Sequence, residues 1–284
     1  MARHVRARRL LLAIIPLLLA FVFTGCEAFS SPQNTFAPAG EVAEDQKNQF
    51  LFVMVPALFV MIGVLAACLL IPIFFRRKKG DPGLPKQVHG NTPLELTWTI
   101  LPALLMVAVG VVTVAGIVDL GRAPSEDSLR VNVTGQRFSW LFEYPNLQDA
   151  EGNGLRGEIN EMRIPVGREI GVYINSVDVN HSFWVPKLAG KTDAINNHEN
   201  RMWLRADEEG VFAAQCAEFC GLNHSDMRFV VIAMPQDEFD AWVAEQGDYT
   251  EVMPTPEADD DEPVDEEDVQ DGEDEEESER SQGN

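Results

Sequence analysis

Hydrophobic positions along this chain fall into two regimes. Over the first 120 residues they form long runs, and from about residue 128 they come in short alternating bursts. Phe50 to Phe75 is apolar for 26 residues, with Pro56 and Pro72 as the only strong breakers. That exceeds the ~20 residues a helix needs to cross a bilayer. A second run extends from about Leu94 to Val118 and ends at Asp119, and a polar Gly/Pro-rich loop over residues 80–93 joins the two. The pattern predicts a transmembrane helical hairpin over residues 50–120. Arg76-Arg77-Lys78-Lys79 follows the first run directly. Such a basic block marks the cytoplasmic side. The loop is then inside, and everything after Asp119 lies on the exported side. Cys68, within the first run, reads as a packing residue.

The second regime predicts an all-β domain over residues 128–248. Short runs recur at Leu129–Val133, Phe138–Tyr144, Glu161–Ile164, Glu169–Ile174, Ser182–Val185, Arg201–Leu204, Val211–Gln215 and Arg228–Met234. Gly, Pro, Asn and Asp separate them. Many short strands at this spacing indicate a β-sandwich or barrel. A short helix is expected from Glu238 to Glu245, with Phe239, Trp242 and Val243 on a face that covers the barrel end.

Composition changes the picture at the two ends. The chain has 284 residues and a formal net charge of −23. Residues 251–284 hold 17 acidic side chains against the single Arg280, so the remainder carries only about −7. Almost nothing after Met253 is apolar. Such a segment cannot bury enough surface to offset its chain entropy, so residues 249–284 are expected to be a disordered acidic tail. It solubilises the protein or attracts a basic partner; nucleic acid is not a partner for so acidic a chain. At the other end, Arg3, Arg6, Arg8 and Arg9 precede an apolar stretch from Leu10 to Phe23, and small Gly25 precedes Cys26. Residues 1–25 read as a signal peptide. Phe23-Thr24-Gly25-Cys26 resembles the bacterial lipobox, which implies lipidation of Cys26 and an exported N-terminal segment over residues 26–49.

The chemistry concentrates in Cys216-Ala-Glu-Phe-Cys220-Gly-Leu-Asn-His224-Ser-Asp-Met227. In an exported domain a disulfide is the first reading for two cysteines, and thiol exchange the second. His224 and Met227 lie just downstream in a turn-rich segment that can fold back on the cysteines. Thiolate, imidazole and thioether together form a soft donor set suited to copper. Structural zinc prefers four Cys/His ligands. A mononuclear blue copper site uses a single Cys; two thiolates can instead bridge a pair of coppers. A second histidine must then come from elsewhere. His4 lies in the signal and His89 in the cytoplasmic loop, which leaves His181 and His198. His181 opens an apolar run and is the better candidate; His198 sits in a polar loop.

The motifs V-D-V-N-H-S-F-W-V-P, K-T-D-A-I and Q-C-A-E-F-C-G-L-N-H-S-D-M-R-F resemble the binuclear copper (CuA) domain of cytochrome c oxidase subunit II. So do E-L-T-W-T-I-L-P and Q-R-F-S-W-L-F-E-Y-P, and the resemblance covers nearly all of residues 50–247. It implies a cupredoxin-like Greek-key barrel behind the two-helix hairpin. In that family's arrangement Cys216 and Cys220 bridge both coppers, and His181 and His224 are terminal ligands. Met227 is a weak ligand to one copper and the Glu218 carbonyl to the other. The Glu218 side chain would reach a Mg²⁺ at the contact with subunit I. Glu95 matches an acid at a proton-path entrance, and Asp178 an acid of the donor-docking surface. The resemblance implies a proton-translocating oxidase whose subunit II takes electrons from cytochrome c or a small blue copper protein. It passes them to haem in subunit I.

Two departures bear on mechanism. Phe138 stands where many members have Trp at the electron port, with Trp140 nearby. The chain also has no C-x-x-C-H, so no attached haem is expected and the donor is a separate protein. The quinol oxidase subunit II, which has the same hairpin and barrel without copper ligands, is disfavoured because the ligand set is present. A C-x3-C copper chaperone or thiol oxidoreductase is disfavoured by the two spans and the β pattern. Other CuA reductases are disfavoured by the hairpin placed before the domain.

Overall fold

The computed structural model describes residues 31–76 and 89–252, together with Gly80, Gly83 and Gln87. The signal segment, Cys26, most of the basic block and the chain beyond Val252 lie outside the described residues. Two long helices come first: α1 (Glu41–Phe74) and α2 (Thr92–Leu120). Both are long and apolar enough to cross a membrane, and their apolar side chains face outward. They meet at Gly116, where the missing side chain leaves room for the Gln49 amide of α1. Cys68, expected to pack, is exposed on α1; among the described residues no neighbour covers that face.

The first helix begins nine residues before the apolar run. Hydropathy marks where a helix enters lipid, not where it begins. Residues 41–49 include the good helix formers Glu41, Ala43, Glu44, Gln46, Lys47 and Gln49, with Glu41 and Glu44 in the first turn where the helix dipole favours them. Val42 and Ala43 are buried, and the Ala43 N–H donates to the Leu188 carbonyl at 3.2 Å. Arg205 pairs with Glu41 at 2.9 Å. The membrane helix therefore runs unbroken into the β-domain and docks there.

That domain is a sandwich of two sheets. The first contains β1 (Leu129–Gln136), β2 (Ser139–Gln148), β5 (Ile170–Ser176) and β8 (Asn200–Leu204), with β3 (Gly154–Arg156) and β11 (Thr250–Glu251) added along β2. The second runs β4 (Glu161–Pro165), β10 (Arg228–Met234), β9 (Gly210–Cys216), β6 (His181–Trp184) and β7 (Lys191–Ala194). β1–β5 and β4–β10 are parallel pairs, and the other pairs are antiparallel. In β1 and β2 alternate residues point inward: Leu129, Val131 and Val133 from one, Trp140, Phe142 and Tyr144 from the other. Phe183 stacks on Phe229 at 4.9 Å, and Trp140 lies 5.5 Å from the same ring. Burying each such side chain contributes about 1.5–3 kcal/mol. α3 (Gln236–Gln246) closes one end with Phe239, Trp242 and Val243, as the sequence predicts.

Two expectations change. Phe138 is not in a strand; with Arg137 it forms the two-residue turn between β1 and β2. The fold also extends past residue 248. Thr250 and Glu251 pair with Gln148 and Leu147, the Val252 N–H donates to Asn146 O at 2.7 Å, and Arg168 pairs with Glu251. The stretch 249–252, assigned to the tail from its composition, is part of the domain.

Candidate metal centre

The end of the sandwich opposite α3 gathers donors from β6, β9 and the loop between β9 and β10. His181 opens β6, Cys216 ends β9, and Cys220 lies in the loop. His224 starts a single 3-10 turn, with Met227 just after it and before β10. Backbone bonds close the loop. The Cys216 N–H donates to Met227 O at 3.0 Å and the Ala217 N–H to Ser182 O at 2.9 Å, while the His224 N–H donates to Gly221 O at 3.2 Å.

The donor atoms converge. Cys216 Sγ lies 3.8 Å from His181 Nδ1, 3.9 Å from Cys220 Sγ and 3.3 Å from the Glu218 carbonyl. Cys220 Sγ lies 3.6 Å from His224 Nδ1 and 3.7 Å from Met227 Sδ. Two donors bonded to one metal at about 2.0–2.3 Å stand roughly 3.3–3.8 Å apart. The separations therefore suit shared metal ligation, and the soft donor set suits copper. Glu218 is the exception in the group, because only its carbonyl faces the sulfurs; its side chain is exposed. His198 stays exposed in its loop.

The thiols are not arranged for redox exchange. Both are free and buried, and the Cys220 thiol is pushed up to about 11 by burial and by the neighbouring Cys216. Exchange cysteines have lowered pKa values and accessible sulfurs. A metal binding here displaces thiol protons, which couples its uptake to pH.

Asp178, expected at the docking surface, lies against His181. Its Oδ1 lies 2.9 Å from His181 Nε2 and accepts the Val179 N–H at 2.6 Å. Its Oδ2 accepts the Arg137 backbone N–H at 2.8 Å and the guanidinium Nε–H at 3.2 Å. Burial alone would raise this carboxyl. The bonds from His181, Arg137 and Val179 outweigh burial and hold it well below the usual carboxylate range. A carboxylate at Nε2 favours the tautomer with its proton there and leaves Nδ1 free as a ligand. The spacing Asp178-x-x-His181 was the available signal.

Two glycines were also missed. A Cβ on Gly135 of β1 would sit 3.1–3.2 Å from the His181 ring and 3.2 Å from Trp140. Gly221, at φ +135°, turns the loop directly after Cys220, and a Cβ there would lie 3.3 Å from the Phe138 ring. Trp140 is fully buried, with its ring 5.9 Å from that of His181. Phe138 is half-buried against the loop. Glu95 lies far along the chain, in the first turn of α2. Its carboxylate accepts the Asn91 N–H at 3.0 Å while Asn91 Oδ1 accepts the Leu94 N–H at 3.2 Å. That reciprocal pair caps the helix.

Comparison with known proteins agrees with this geometry. Residues 129–234 match the model of the cytochrome c oxidase subunit II periplasmic domain, and residues 31–115 that of its transmembrane domain. The chain belongs to the cytochrome c oxidase subunit II family. It is 41% identical over 233 residues to cytochrome c oxidase subunit 2 of Alkalihalophilus pseudofirmus, covering 79% of this chain and 65% of the relative. To the Bacillus subtilis protein of the same name it is 36% identical over 265 residues, covering 84% and 68%. Quinol oxidase subunit 2 of Bacillus spizizenii is 35% identical over 245 residues, covering 84% and 73%. The chain thus spans about two thirds of the length of these subunits. Overall similarity does not separate the two oxidase types, so the residues of the site must.

Proposed function

We propose that this subunit is the electron port of a haem-copper oxidase, with a binuclear CuA centre held by His181, Cys216, Cys220, His224 and Met227 and by the Glu218 carbonyl. The observation that carries this reading is the convergence of two thiols, two imidazoles and a thioether at one end of the sandwich. It also favours the cytochrome c type over the quinol type. Bound by these residues, copper would supply one-electron transfer with little change in bond lengths.

The chain's own residues do the rest. The paired strands β6 and β9 hold His181 and Cys216 at neighbouring strand ends, with Phe183 opposite Cys216. The 3-10 turn and its backbone bonds hold His224 and Met227. Asp178 fixes the proton of His181 on Nε2. Buried Trp140, Phe183 and Phe229 exclude water behind the ligands, which keeps the ligand geometry the same in both redox states. His224 is half-buried beside Phe219, its ring 5.8 Å away. Electrons arrive from an exported carrier, cytochrome c or a small blue copper protein, past Phe138 and with Trp140 behind it. They leave for haem in subunit I, where oxygen is reduced and protons are pumped.

The exposed Glu218 carboxylate would be available to a Mg²⁺ at the contact with subunit I. Glu95 borders a proton path, its carboxylate held at the helix cap. Asp178 presents a partly exposed edge to the docking face, but its hydrogen bonds assign it chiefly to positioning His181. The N-terminus, lipidated at Cys26, and the β-domain both lie on the exported side of the cell membrane.

The test is copper loading of the full chain in detergent, followed by metal analysis and electron spin resonance. Two coppers per chain with hyperfine structure shared over both nuclei are expected. One copper with single-nucleus hyperfine structure overturns the binuclear site, and no specific copper at all returns the chain to the quinol type.

A further inference from the structure

Where α1 leaves the β-domain for the bilayer there is a half-open cavity of about 400 Å³. That is within the ordinary range for small-molecule sites and too small for another helix. One face of α1 forms its wall. Ala43, Gln46, Lys47 and Phe50 follow the i, i+3, i+4, i+7 spacing of a single helical stripe. The incoming segment closes one side with Phe36, whose ring meets Phe50 edge-on at 5.5 Å. Pro186 closes the other from the β-domain.

The position decides what can enter. Phe50 is the first residue of the uninterrupted apolar run, so the lower rim is continuous with the acyl region of the leaflet on the β-domain's side. The upper rim carries a charge pair: Lys47 Nζ lies 3.5 Å from Glu44 Oε1, and the Glu44 side chain is 57% exposed. A pair this long, with the Glu44 side exposed and Lys47 largely covered, holds its geometry loosely on the Glu44 side. Each charge can turn to a ligand group of opposite sign. An apolar slot below a separated cation and anion matches a zwitterionic lipid.

We propose that this cavity binds one aminophospholipid of the adjacent leaflet. Its phosphate meets the Lys47 ammonium, its primary amine donates to Glu44, and an acyl chain lies between Phe36 and Phe50. A purely anionic lipid would meet Glu44 at the same rim and bind less well. A quaternary ammonium headgroup has no N–H for the Glu44 carboxylate.

The experiment uses the full chain in nanodiscs of phosphatidylethanolamine and phosphatidylglycerol. Each disc carries a trace of one lipid bearing a photoreactive acyl chain, and crosslinks are mapped by peptide mass spectrometry. The phosphatidylethanolamine probe should label residues 35–50 above the outward face of α1 near Leu69, and above the phosphatidylglycerol probe. Lys47→Gln and Glu44→Gln should each lower that labelling, by about tenfold for the loss of one charge-assisted contact. Equal labelling by both probes, or labelling that ignores both substitutions, overturns the proposal. So does labelling that appears only in Cys26→Ser, which would assign the cavity to the chain's own lipid. The copper spectrum, read in parallel, reports on the electron port separately and should not change in any of these variants.

Discussion

The sandwich is closed at both ends, and the closures are opposites. At the α3 end, Phe239, Trp242 and Val243 are buried against Tyr144, with the Trp242 and Tyr144 rings 5.6 Å apart. At the metal end the loop leaves Phe219 75% and Leu222 98% exposed. There the order comes from backbone hydrogen bonds, two glycines and converging ligands. An end closed by apolar packing is a matter of stability. An end held by polar bonds can leave its apolar side chains outside, available to another protein. The same sequence signal, a hydrophobic residue, therefore means different things at the two ends.

Substitutions at each end test this contrast. The largest effect is expected from Cys220→Ser, which removes one of the two sulfurs proposed to bridge. Electron spin resonance should collapse from two-copper to one-copper hyperfine structure while thermal stability without metal changes little; an intact two-copper spectrum would falsify the bridging role. Trp242→Ala at the other end should cost about 3–5 kcal/mol in denaturant unfolding. The copper spectrum of the folded fraction should stay the same, and a spectral change would mean the two ends are coupled. Asp178→Asn replaces a carboxylate at His181 Nε2 with an amide. Competition against a chelator should show copper affinity lower by about 10–100-fold, and unchanged affinity would return Asp178 to the docking surface alone.

The metal-free protein supplies a pH test. The Cys220 pKa is raised from 9.0 to about 11 in the folded state. The folded protein thus holds this proton more tightly than the unfolded chain. Stability from this group is present below pH 9, falls as pH rises towards about 11, and is flat beyond. Urea unfolding across that window checks it, and Cys220→Ser should remove the slope. The smallest effect is expected for Leu222→Ser. Stability should stay within about ±0.5 kcal/mol, while oxidation of the donor by the assembled oxidase slows. A stability loss like that of Trp242→Ala would show that the loop is packed after all.

The alternation along Leu129–Val133 is easy to read because one face of β1 is buried and the other is not. β7 is harder, since Lys191-Thr-Asp-Ala194 lies at a sheet edge with only Ala194 buried. Thr250 and Glu251 are exposed on both sides, and only their pairing to β2 reveals a strand. The start of α1 at Glu41 is hidden for a related reason, because its first turns are polar and bury just two side chains. Within the site, the donors are legible because their spacing is local. Gly135 and Arg137 are not, because what requires them is a ring and a carboxylate some forty residues away in the chain. Neither periodicity nor motif spacing carries contacts of that range.

The unbroken course of α1 from the bilayer into the β-domain has a consequence for how the subunit tolerates change. A flexible joint would absorb an inserted residue. A continuous helix transmits it, turning everything beyond by about 100° and shifting it by about 1.5 Å. The segment just after α2 is also tied to the β-domain through Arg122 and Glu169, 2.6 Å apart, so such a turn strains one tether or the other. Residues 41–49 thus behave as a keyed shaft: their identities can drift, but their number is locked to the azimuth at which the metal face meets its partner.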